Sequence, residues 1–270
     1  MNLKTLFRPK LLPWFTLVAG GICFILRFFL IHKGMDQKGL LVASNPLNVA
    51  LYILSVLSIT VVLLCCLPMK RGTSRYRRLF PKSTLAAVGC ALAAIGALVT
   101  CASNVVNKIT PMAVLTLVLS FMLAVCFGFL GIARQQGKRP HYLVHTGIGV
   151  FLMLYLINQY QLWSPQPQVA LYIFQLLACV CLLLTTYQAV CLDIHKGDRR
   201  WYALCSQAAL FFCCLSLTDD NALFYLGMGA WTATNLCSTR VSRHHSHSHE
   251  KKEVSEETTE SEETTESKEA

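Results

Sequence analysis

Six apolar runs of about 20 residues each, near 11–31, 47–67, 84–103, 112–132, 143–162 and 169–189, most limit what this chain can fold into. A bilayer core about 30 Å thick takes about 20 helical residues at 1.5 Å per residue. In lipid, only a helix or a closed barrel satisfies every backbone N–H and C=O internally. Two shorter runs, 202–217 and 222–237, meet at the tip "TDDN". Each would be about 24 Å long as a helix. They are therefore two thin spans or one re-entrant hairpin, and either returns the chain to the side it left. The expected fold class is all-α: a polytopic transmembrane helix bundle of about eight spans over 1–240. The first run contains Arg27 and has no small-residue cleavage site behind it, so it counts as a span rather than a leader.

Charge then orients the bundle. Residues 1–249 hold 21 Lys/Arg against 5 acids, whereas 250–270 hold 3 against 9. The basic residues sit in short clusters between apolar runs, a membrane-topology pattern and not a nucleic-acid face. With the N-terminus inside, 17 Lys/Arg fall on inner segments and only Lys33, Lys38 and Lys108 on outer ones. That bias puts both termini in the cytoplasm. Trp14, Trp163 and Trp201 lie near span ends, where interfacial anchors belong. The expected location is a plasma membrane, and short loops without a eukaryotic sorting signal point to a prokaryotic one. The inner loops, chiefly "KRGTSRYRRLFPK", would meet anionic headgroups.

"VALYI" occurs at Val49–Ile53 and again at Val169–Ile173, each soon after a proline, Pro46 or Pro167. Two tandem four-span halves, 1–135 and 140–240, would produce that echo, as would the shared vocabulary of Leu-rich helices. Beyond 240 the character changes. "RHHSHSHEKK" carries His244, His245, His247 and His249, and "SEETTE" then occurs twice in succession. Beyond Arg243, Val254 is the one sizeable apolar side chain, so residues 241–270 should form a disordered tail.

Flexible histidines bind metal loosely, but metal movement also needs ligands at membrane depth. Every Glu lies in the tail, and Asp36, Asp193, Asp198, Asp219 and Asp220 fall in loops or at tips. The histidine run is thus expected to have incidental metal affinity only, and no metal site or cofactor is expected. The same lack of mid-membrane acids disfavours intramembrane proteolysis and proton antiport. No span places Cys and His at helical spacing for nucleophilic catalysis, so an enzyme is not the expected class. The thirteen cysteines lie largely in apolar runs without any CxxC, as small packing residues would.

Polar residues gather toward the outer half. Arg27, Asn158, Gln159, Gln175, Asp219 and Asp220 would form an outward-facing vestibule, with Arg27 paired to Asp219 or Asp220. Snorkelling of Arg27 and interhelical hydrogen bonding by the amides are the structural alternatives. Small residues at Gly89/Ala93/Ala97, Ala124/Gly128 and Gly229/Ala233 mark close helix contacts. Two functions from different classes follow. One is a permease-like protein for a small neutral or weakly charged solute, requiring a water-accessible cavity past mid-membrane. The other is a non-catalytic sensor or scaffold subunit acting on cytoplasmic partners.

Overall fold

The computed structural model describes residues 11–33, 46–67, 69, 79–107, 110–164, 172–194, 196–219 and 221–239. The histidine run, the acidic repeats, Asp220 and most of the basic connector at 70–78 lie outside the described residues. Residues 1–240 form one compact unit.

Among the described residues, eight α-helices carry the eight apolar runs: α1 (Leu12–Lys33), α2 (Pro46–Cys66), α3 (Thr84–Asn107), α4 (Pro111–Gln136), α5 (Tyr142–Trp163), α6 (Ile173–Asp193), α7 (Arg199–Leu215) and α8 (Ala222–Ser238). Their ends follow local chemistry. Thr110 stands extended before Pro111, and its Oγ1 accepts from the Ala113 N–H at 3.1 Å. Proline suits this first helical position because its missing N–H would be unpaired anyway. α4 stops at Gly137, whose φ of 67° only glycine adopts cheaply. Asp198 caps α7 by accepting from the Arg200 N–H at 3.1 Å.

The first seven helices are long and apolar enough to cross a membrane by length and composition, with α7 continuing through a 3₁₀ turn, Ser216–Thr218. α8 has 17 residues, about 25 Å, and its neighbours show that it too crosses. At one end Asn221, just before it, meets Asn104 near the close of α3. At the other, Asn235 meets Arg134 near the end of α4, and Gly89 faces Thr234 near the start of α3. α8 therefore runs antiparallel to α3 along nearly its whole length. Residues 202–237 are two spans, not a re-entrant hairpin.

Helices α3, α4, α5, α6, α7 and α8 pack in a closed circuit, each on the next and α8 back on α3; α1 and α2 pack on the far side of α7. The circuit encloses a layer of aromatic side chains. Phe151 and Tyr155 of α5 stack at 5.8 Å, Tyr155 lies 4.3 Å from Phe224 of α8, and Phe127 meets Trp231 edge-on at 5.4 Å. Tyr155, Phe127, Phe211, Phe224, Tyr225 and Trp231 are all fully buried. The outward faces carry Val18, Ile25, Val56, Ile95, Phe121 and Val125 in the open. Such an apolar exterior is untenable in water and natural in lipid. Of the three tryptophans expected as anchors, Trp14 and Trp201 are exposed. Trp163 is buried, stacked on Tyr172 at 5.1 Å.

Two small-residue signals behave differently. On α3 and α8 the backbones meet: a Cβ on Gly227 would lie 2.6 Å from the Leu92 carbonyl oxygen and 3.1 Å from the Ala93 Cα, and one on Gly96 would strike the Leu223 carbonyl. Gly128, expected at a helix contact, is exposed with nothing within 4 Å of its absent side chain.

Candidate functional site

The bundle has an inner side, which carries the basic loops, and an outer side opposite it. The outer polar residues come together, but inside the bundle. Arg27 is 2% exposed. It sits on α1 where α7 ends, and its Nη1 donates to the Leu215 carbonyl at 2.8 Å. That carbonyl belongs to the last turn of α7, where unpaired C=O groups and the helix dipole favour a cation. Its Nη2 donates to Asp219 Oδ1 at 2.9 Å, and the guanidinium carbon lies 5.0 Å from the centre of the Phe174 ring. The expected pairing with Asp219 is present, and Arg27 does not snorkel. Asp220 lies outside the described residues.

Two residues along the same tip, Asn221 joins α3 to α5. It accepts from Asn104 Nδ2 at 3.4 Å and donates to Gln159 Oε1 at 3.3 Å. Asn158, Gln159 and Gln175 are 3%, 2% and 2% exposed. Gln175 follows Phe174 on α6, and its Oε1 has no hydrogen-bond partner among the described residues. The outer group is thus a buried layer linking α1, α3, α5, α7 and α8 through side chains.

A second cluster, which sequence reasoning missed, lies at the inner end. Asp193 was expected in a loop; it is the last residue of α6 and fully buried. Its Oδ2 lies 2.9 Å from His145 Nδ1 of α5, and its Oδ1 lies 4.0 Å from Arg139 Nε. The readable signal was His145 itself, an imidazole inside a span beside the antiparallel inner end of the next one. Nearby, Arg134 is 3% exposed. It contacts the Asn235 side chain and lies 4.0 Å over the Phe80 ring, which Tyr202 meets edge-on at 5.3 Å. An arginine counted among the loop cations is therefore enclosed, held by an amide and an aromatic face.

Between them the clusters offer carboxylates already engaged by cations. Among the described residues no group of three or more His, Cys, Asp or Glu is placed to hold a metal ion. Toward the inner end of α1, Thr16 Oγ1 donates to Gln207 Oε1 of α7 at 2.6 Å. What the arrangement can do is hold eight helices in one register and present a shaped apolar surface to lipid. The family model described as PigN: Phosphatidylinositolglycan class N (PIG-N) matches residues 19–270. Neither curated proteins nor solved structures give a match.

Proposed function

The chain belongs to the phosphatidylinositolglycan class N family, and from that premise we propose that it is the membrane-embedded, lipid-handling part of ethanolamine-phosphate transfer onto glycosylphosphatidylinositol lipids. The observation that carries this reading is the family match over all but the first 18 residues of a helical membrane bundle. Such a transfer joins a headgroup donor to a lipid-anchored acceptor. A bundle contributes by holding both lipids in one plane and orientation, which converts a two-body encounter into a positioned one. The salt-bridged outer layer suits that role, because it stiffens the end of the bundle nearest the outer headgroups. On this reading the membrane is the endoplasmic reticulum of a eukaryote, with the outer side lumenal, in place of the prokaryotic plasma membrane expected from loop length.

A permease required water past mid-membrane. The enclosed aromatic core and the buried outer amides give that reading no support. Of the two classes raised from sequence, the non-catalytic membrane subunit is the nearer.

The test is metabolic labelling with radioactive ethanolamine in cells lacking the chain. The reading expects loss of at least one ethanolamine-phosphate-bearing glycosylphosphatidylinositol intermediate, restored by the full chain. An unchanged set of labelled intermediates would overturn it.

A further inference from the structure

Between α5 and α6, in the inner half of the bundle, a cleft of about 420 Å³ opens to the lipid side. That volume falls within the ~300–1,000 Å³ of ordinary ligand sites. Its walls are Val150, Met153, Leu184 and Tyr187, each at least 43% exposed, and its floor includes Gly149 and the buried Thr186. Gly149 provides the depth, because a Cβ there would already touch Thr186 Oγ1 at 3.7 Å. From His145 to Met153 the cleft runs about 12 Å along the helix, close to the thickness of one leaflet's hydrocarbon.

Its inner end is not apolar. His145 lines it, with Asp193 at 2.9 Å behind and Arg139 beyond. The segments at that end, before α5 and after α6, carry Lys138, Arg139 and Lys196, all exposed. Asp193 offsets one of these charges and leaves an excess of cations at the headgroup level.

We infer that this cleft holds one acyl chain of a glycerophospholipid with a net negative headgroup, whose phosphate sits among Lys138, Arg139 and Lys196. A cleft one leaflet deep and greasy along its length, with cations in the chain segments just beyond its inner end, matches that ligand in both length and charge. Basic pockets between spans on the positive side are where such headgroups bind. The site lies in the leaflet opposite the outer layer and is independent of the transfer reading.

The experiment is native mass spectrometry of the full chain in detergent, with phosphatidylserine and phosphatidylcholine offered in equal amounts. One retained phosphatidylserine is expected, preferred over phosphatidylcholine. K138Q/K196Q should lower that preference on the order of tenfold, while the acyl chain still binds. Gly149→Leu should fill the floor and abolish retention of either lipid; if it does not fold, Met153→Trp, placed on the lipid-facing wall, replaces it with the same expected result. Equal retention of the two lipids by the unaltered chain, or undiminished retention by the filled cleft, would show only annular lipid and overturn the inference.

Discussion

Arg27 illustrates how a single charge is accommodated where water is excluded. Enclosing an isolated guanidinium is costly, and here three features offset that cost: the Asp219 carboxylate, the Leu215 carbonyl at a helix end, and an aromatic face. Breaking one partner of such a pair leaves an uncompensated buried charge and costs about 3–5 kcal/mol, whereas replacing both with apolar groups is far milder. Arg27→Met and Asp219→Leu should each lower thermal stability in nanodiscs sharply. The double variant should lose much less than the sum, and additive losses would show that the two side chains do not act as a pair. The sequence places Arg27 near the outer end and suggests its acid. It does not say that the pair would be buried, because burial depends on which helices stand beside α1.

At the scale of elements, the spans were legible and their neighbours were not. The apolar run lengths follow from the bilayer thickness, so the eight runs match α1–α8 to within a few residues. Pairings between spans far apart in sequence leave no periodic trace in either helix. The α3–α8 contact shows this: Gly89 was visible as a small residue, but Gly96 and Gly227 became important only when the two backbones were seen to meet. Gly128, at the same spacing from Ala124, faces open space. Asp193 was hidden for a related reason, since a residue at a span's end can be loop or core depending on its neighbour. Small residues matter in lipid only where another backbone approaches. Gly227→Leu should therefore disrupt the bundle, with a stability loss of several kcal/mol or failure to fold. Gly128→Leu should change stability by less than about 0.5 kcal/mol. Thermal unfolding of the two variants side by side checks this, and equal losses would remove the α3–α8 contact as the cause.

For the whole molecule, the two shortest spans are the best packed. α7 and α8 close the circuit of helices and carry Phe211, Leu215, Phe224, Tyr225, Met228 and Trp231 into its interior. The 17 residues of α8 lie at the short end of what a span needs, and its packing along α3 and α7 holds it in place. That last crossing sets which side residues after α8 lie on. Glycosylation mapping in microsomes tests it most directly, with an Asn-x-Ser/Thr acceptor placed in the full chain either within residues 34–45 or after residue 250. Eight crossings with the basic loops inside predict a glycan on the first acceptor and none on the second; modification of the second would mean an odd number of crossings and would contradict the account.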